Sequence, residues 1–358
     1  MKISYMKKRE NFYQINKDTL DTIFAPDGRK TKLYVYPHIN AIVTKRNSRE
    51  IREYLLNEYS VKGNRIKRVL AKSYVVLCLI SQGFLADKTV LLNCMVDDSV
   101  LIYPCNKKYR VFDFKNDIVS VYVKSGFPNN DLIHEIEFRK NSTLEFVPKL
   151  VSCNDIFYTE RIIHGMPLAR IDYGYDVLAQ KAYDIFRSSF ISEDRCISGK
   201  DYSIILLNRY VISQKNKKYI DFNILNPLIN TLADYISKIE SINLCFSHGD
   251  LQSGNIWIEQ GTNQIFIIDW ESWGERSIYY DKAVLFYSLR PKGISHFLHN
   301  ISVPIREKMI VLFEDIIFQL NEYYSLPKRF GETEFLEYLI TVKSYVDDNR
   351  KEINEQII

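Results

Sequence analysis

The chain has 358 residues, 46% of them apolar and 26% charged, with a formal net charge of +4. That balance excludes wholesale disorder and gives enough chain for two domains or one large two-lobed domain. The longest unbroken apolar run, Tyr74 to Ile80, falls far short of the ~18–20 residues of a membrane helix, so no transmembrane segment is predicted.

Met1 to Asn16 carry Lys7, Lys8, Arg9 and Glu10 without an apolar stretch, which predicts no secretory signal. Six cysteines (Cys78, Cys94, Cys105, Cys153, Cys196, Cys245) lack Cys-x-x-Cys spacing, so neither a disulfide framework nor a structural zinc site is expected. A reducing cytoplasm suits them. The charge is uneven: residues 1–125 hold 23 Lys/Arg against 12 Asp/Glu, and the remainder is acidic. A basic N-terminal third is compatible with a polyanion or an anionic membrane surface, although no nucleic-acid motif accompanies it.

In chain order, residues 1–90 read as a mixed α/β segment. Strands are expected at 33–36 and 41–44, and helices over 49–59 and 71–82. Residues 98–124 read as three strands, 100–103, 109–114 and 118–124, separated by turns at 104–108 and 115–117. Val119, Val121 and Val123 share one face of the third strand, and Lys124 closes it on the opposite face. A helix follows over 131–140, with Asn129 or Asn130 as its N-cap. Strand character returns over 146–163, and helices are expected near 175–190, 226–240, 304–325 and 333–348. A β-rich half followed by an α-rich half predicts two lobes around a cleft.

The chemistry concentrates in Phe246-Ser247-His248-Gly249-Asp250-Leu251-Gln252-Ser253-Gly254-Asn255, followed after a short hairpin by Ile268-Asp269-Trp270-Glu271. The hairpin returns Asp269 beside Asn255. An amide oxygen and a carboxylate so placed are hard ligands suited to Mg²⁺, with phosphate oxygens completing the shell. Asp250, at the start of the loop, can accept or orient a hydroxyl proton.

His-Gly-Asp-x-x-x-x-Asn, with Ile-Asp-Trp-Glu fourteen residues after the Asn, resembles the aminoglycoside phosphotransferase and choline kinase family of the protein-kinase-like fold. The resemblance implies Asp250 as the catalytic Asp, Asn255 and Asp269 as Mg²⁺ ligands, His248 as a brace of the loop, and Asp281 as its support from behind. A kinase of this fold also needs a strand cation for the α/β-phosphates and a helix Glu to hold it. Lys124 is the strand candidate. Glu135 and Glu137 both flank the apolar stripe of the next helix, and the family pattern Leu-x-x-Glu favours Glu135. Phe157 to Leu168 is similar to the interlobe hinge, which implies a C=O near Glu160 and an N–H near Ile162 facing the adenine.

The first hairpin turn, Pro104-Cys105-Asn106-Lys107-Lys108, is not Gly-rich. Its backbone N–H groups at Asn106 and Lys107 remain candidates for cradling a phosphate, with Lys107 or Lys108 adding charge. Eleven residues separate Asp269 from Asp281, too few for the activation segment that lays out a peptide. Trp270 and Trp273 either wall an acceptor pocket or fill the core.

The expectation is an α+β, bilobal protein-kinase-like fold: residues 1–90 as an N-terminal extension of unknown role, 91–163 as the nucleotide-binding N-lobe, and 164–358 as the helical C-lobe. The expected activity is transfer of the γ-phosphate of ATP (GTP being possible), with Mg²⁺, to a hydroxyl of a small molecule. A sugar or glycan precursor is the first choice of acceptor and an aminoglycoside or choline-like amino alcohol the second. The reading from another class is a nucleotide-binding pseudokinase that recruits a partner.

Overall fold

A computed structural model describes residues 17–59, 65–105, 107–214, 222–287, 289–324 and 332–349. Asn106 and the basic cluster Lys7–Arg9 lie outside the described residues. The chain divides into two compact units. Unit 1 comprises residues 1–176 and 254–271, and unit 2 comprises residues 177–253 and 272–358.

Unit 1 is built on an eight-stranded sheet. In chain order its elements are α1 (Lys17–Ile23), β1 (Thr31–Tyr36), β2 (Ala41–Val43), α2 (Arg49–Glu58), α3 (Arg65–Ile80), β3 (Lys88–Leu92), β4 (Val100–Pro104), β5 (Lys108–Asp113), β6 (Ile118–Val123), α4 (Asn130–Asn141), β7 (Leu150–Cys153) and β8 (Phe157–Arg161). The strand order is β3-β1-β2-β4-β5-β6-β8-β7. The stretch β4-β5-β6-β8-β7, with α4 inserted after β6, is the N-lobe arrangement of a kinase-like fold.

The sequence reading sets residues 1–90 apart, yet β1, β2 and β3 are built into this same sheet. The physical reason is edge protection. Left alone, β4 would present an unpaired edge; Ile42 of β2 instead pairs with Ile102. Side chains then alternate between two cores. Leu33, Val35, Ile42 and Ile102 pack with Leu20 of α1, whereas Tyr36, Val43, Leu101 and Phe112 pack with Ile51 and Leu55 of α2 and Val75 and Leu79 of α3.

Unit 1 also contains β9 (Gly165–Pro167), β12 (Ile256–Glu259) and β13 (Ile265–Ile267), which form a second sheet in the order β13-β12-β9. Gly165 is needed there: a Cβ would lie 2.0 Å from the Ile258 carbonyl oxygen.

Unit 2 holds α5 (Tyr175–Ser189), β10 (Arg195–Ile197), α6 (Gly199–Gln214), α7 (Phe222–Ser237), β11 (Ile242–Ser247), β14 (Gly274–Ser277), α8 (Tyr280–Phe286), α9 (Ile294–Leu298), α10 (Ile305–Tyr324) and α11 (Glu332–Asp348). Its core joins α6, α7, α10 and α11 through residues such as Leu206, Leu232, Phe313 and Tyr338. Helix α6 is absent from the sequence reading. Its apolar residues are spread round the whole circumference, so no periodic stripe marks it, although Ser198 accepts the Asp201 N–H at 3.1 Å as a cap.

Candidate active site

Strand β5 sorts its residues by parity. Tyr109 and Val111 enter the core around α1. Lys108, Arg110 and Phe112 pair with Val123, Val121 and Val119 of β6, and so take the other face. Val121 on that face packs on Leu132 and Ile136 of α4.

At the Phe112 end of this stripe lies a pocket of about 370 Å³ including its open mouth. Phe112 and Val119 wall it from the main sheet, Trp257 and Ile268 from the β12–β13 hairpin, and Tyr54 from α2. Tyr54 and Phe112 hold one another with ring centroids 4.5 Å apart. Residues 160–163 complete its lining.

At the other end Lys108 Nζ lies 3.5 Å from Glu135 and 3.8 Å from Asp269, and it also pairs with Glu271. Burial opposes the Lys108 charge, but the carboxylates of Glu271, Glu135 and Asp269 hold its pKa well above the usual lysine range. Glu135 is fully buried, accepts the Tyr158 hydroxyl at 3.1 Å, and stands 3.3 Å from Arg139. Glu137 is exposed. Of the two helix carboxylates the sequence leaves open, Glu135 therefore faces the lysine.

That lysine is not Lys124, and here the sequence expectation is corrected. Lys124 follows Ser120 and Tyr122 onto the face away from α4, donates to the Cys105 carbonyl, and lies 4.9 Å from the Tyr109 ring centre. Burial pushes its pKa down to about 8. Between pH 8 and the ordinary value of 10.5 the unfolded chain holds the extra proton, so this group makes stability rise with pH across that window. The full depression corresponds to about 3 kcal/mol, a penalty present below pH 8. Lys124→Met is expected to remove this pH-dependent contribution, measured as the difference in unfolding free energy from wild type between pH 7.5 and 10.

The other expected nucleotide contacts are distributed as follows. Glu160 and Ile162 line the pocket. The Glu160 carboxylate is turned into the interior onto Arg139. The Ile162 N–H donates to the Asp117 carbonyl at 3.3 Å, so it is engaged within the fold rather than offered to a base. Lys107 Nζ is 2.9 Å from Asp131 in the first turn of α4, where an acidic side chain also complements the helix dipole.

The β12–β13 hairpin brings the two expected metal ligands to one end. Ile256 pairs with Ile267, and the Ile268 N–H donates to the Asn255 carbonyl at 2.9 Å. Asp269 follows with φ +68°, a left-handed conformation that a non-Gly residue holds only where its surroundings impose it. The donor chemistry fits Mg²⁺: one carboxylate and one amide, both hard oxygen donors, are what that ion takes when phosphates supply the remaining ligands. Among the described residues no cluster of three or more His, Cys, Asp or Glu is arranged to hold a metal. Trp270 is core, fully buried, stacked on Phe138 at 4.3 Å and donating Nε1–H to the Ile267 carbonyl.

In unit 2, β11 delivers the His248-Gly249-Asp250 loop. Asp281, at the start of α8, accepts the His248 N–H at 2.9 Å and the Gly249 N–H at 3.1 Å. His248, fully buried, accepts the Asp250 N–H at 3.3 Å through Nδ1. Gly249 has φ +82°, and a Cβ there would lie 2.1 Å from the Ser272 carbonyl oxygen. His248 and Asp281 thus make the contacts that support of the loop requires.

Gln252 and Arg290 both hold the Asp250 carboxylate. Oδ2 accepts from the Gln252 amide at 2.9 Å, and Oδ1 pairs with Arg290. Arg290 also pairs with the fully buried Asp315 at 2.6 Å and lies 4.2 Å from the Phe318 ring centre. The Tyr338 hydroxyl donates to the second oxygen of Asp315 at 2.8 Å. Sequence reasoning misses Arg290, because it lies forty residues beyond Asp250 in irregular chain between α8 and α9 with no motif around it.

The strand order, the Lys–Glu pair and the His-Gly-Asp loop define a protein of the kinase-like fold. Residues 200–289 match the family model described as choline/ethanolamine kinase. That segment holds Asp250, Asn255, Asp269 and Asp281, and over it the chain is similar to the family read from the motif. No curated protein matches the chain. Among solved structures, a choline/ethanolamine kinase family protein from Mesorhizobium loti is similar at 11% identity and TM-score 0.47, covering 72% of this chain and 91% of that one. The choline kinase LicA from Streptococcus pneumoniae is similar at 13% identity and TM-score 0.45, covering 70% and 92%. A streptomycin–ATP complex of APH(2")-IIa is similar at 16% identity and TM-score 0.40, covering 70% and 91%. Among the described residues no helix is long and apolar enough to cross a membrane.

Proposed function

We propose that the protein transfers the terminal phosphate of ATP or GTP to the hydroxyl of an amino alcohol of the choline or ethanolamine kind. The observation that carries this reading is the juxtaposition in unit 1 of the pocket reaching Ile268 and the Lys108–Glu135–Asp269 cluster one residue further on. The base enters the slot beside residues 160–163, and Lys108 meets the phosphates. Asn255 and Asp269 would hold Mg²⁺, which supplies charge neutralisation on the phosphate oxygens when bound. Asp250, held by its Arg290 partner, orients the acceptor hydroxyl and takes its proton. Positioning and electrostatics then carry the rate.

The amino-alcohol class takes precedence because the family match covers the catalytic segment. The glycan acceptor and polyanion contact expected from the charge distribution draw no support. Part of that positive charge is turned inward, on Lys107, Lys108, Arg110 and Lys124, and contributes little to a surface field. A reducing, cytoplasmic setting suits six cysteines that are all free.

The test is nucleoside diphosphate release against a panel of choline, ethanolamine, aminoglycosides and simple sugars, with Asp250→Asn beside wild type. Wild type is expected to turn over with an amino alcohol. Asp250→Asn is expected to keep ATP affinity while losing about 10²–10⁴ in kcat. A wild type that binds ATP yet turns over with nothing on the panel, and matches Asp250→Asn in every readout, would favour the pseudokinase.

A further inference from the structure

Arg110 occupies the centre of the β5 stripe and lines the nucleobase pocket. It is largely buried, yet its guanidinium makes no ion pair and no hydrogen bond among the described residues. Every other inward-turned cation of this region has such a partner: Lys107 has Asp131, Lys108 its three carboxylates, Arg139 has Glu135 and Glu160, and Lys124 the Cys105 carbonyl. The carboxylates of Asp269 and Glu58 of α2 act on Arg110 only at longer range. Glu58 itself has Arg170 at 3.7 Å. The guanidinium thus lines the pocket with no direct counter-ion of its own, and its donors are available to an anion that enters there.

The strand sets which anion. Successive residues on one face of a strand are about 7 Å apart. A nucleotide laid along β5 with its base at Phe112 and its terminal phosphates at Lys108 and Asp269 passes Arg110 halfway, where the ribose meets the first phosphate. We infer that Arg110 binds the α-phosphate of the nucleotide, making β5 the strand that supplies both phosphate-binding cations. Tyr54 of α2 walls the pocket beside it, so the segment before residue 90 belongs to the nucleotide site. This inference rests on the nucleotide-dependent reading above.

Calorimetric affinities for AMP and adenosine, measured on wild type, Arg110→Gln and Arg110→Lys without divalent metal, test it. Wild type is expected to bind AMP at least tenfold more tightly than adenosine. Arg110→Gln should lose that difference with its adenosine affinity unchanged. Arg110→Lys, the milder change if the Gln variant does not fold, should bind AMP at least threefold more weakly than wild type and adenosine equally well. An AMP-to-adenosine ratio the same in all three proteins, or adenosine weakened as much as AMP, overturns the role of Arg110 while leaving the nucleotide reading intact. Wild type that binds neither adenine nor guanine nucleotides, with or without Mg²⁺, overturns both.

Discussion

Lys108→Met is expected to reduce kcat/KM by about 10²–10³, the usual cost of removing one preorganised charge from a transition state. Lys124→Met should stay within about threefold, since its ammonium serves the Cys105 carbonyl rather than Glu135. Steady-state kinetics on the two variants decide which lysine grips the phosphates; equal losses, or a larger loss at Lys124, would return the role to the end of β6. Lys108→Met has a second consequence. It leaves Glu135 fully buried beside Asp269 and Glu271 without their shared cation, so a destabilisation of about 3–5 kcal/mol is expected in chemical denaturation. Lys108→Met combined with Glu135→Gln should recover part of that stability and none of the activity, which separates the two roles.

Arg290→Met is expected to cost a similar amount, about 3–5 kcal/mol, because Asp315 is fully buried and loses its cation. Burial already raises the Asp315 pKa, with Arg290 and Tyr338 pulling against it. For a carboxyl raised in the folded state, folding takes up a proton between the unfolded and folded pKa values, so stability falls as pH rises through that interval. Without Arg290 the raise grows, and the deficit of the variant should therefore shrink as pH is lowered from 7.5. Asp315→Asn in the same background should remove this pH dependence. Activity should fall too, since Asp250 Oδ1 loses the partner that fixes its rotamer. A variant with wild-type kcat and unchanged Tm would mean that Arg290 neither positions Asp250 nor balances Asp315.

The parts of this protein that are legible from the chain are those whose signal is local. His248 to Asn255 and Asp269 sit at fixed spacings because one loop and one hairpin position them, and their neighbours in space are neighbours in sequence. The strands at 100–104, 108–113 and 118–123 and helix α4 announce themselves through turns, caps and alternation. Even the correction at Lys124 was within reach: the valine face of β6 predicts which side packs on the helix, and Lys124 is on the other side. The parity of β5 likewise puts Lys108, Arg110 and Phe112 on one face, but parity alone does not say which face meets α4. Helix α6 left no periodic mark because it is apolar all round.

By itself, then, the sequence determined the His-Gly-Asp loop and its hairpin, the kinase-like class and most element positions, since each depends on spacings of a few residues that backbone geometry converts directly into proximity. Only the tertiary structure decided that β1, β2 and β3 extend the main sheet, that Lys108 rather than Lys124 meets Glu135, that Tyr54 reaches the pocket beside residues 160–163, and that Arg290 ties Asp250 to Asp315. Each of these joins residues tens of positions apart. Such contacts follow from which buried charges find a counter-charge and which sheet edge finds a partner, conditions satisfied over the whole fold and written in no single stretch of chain.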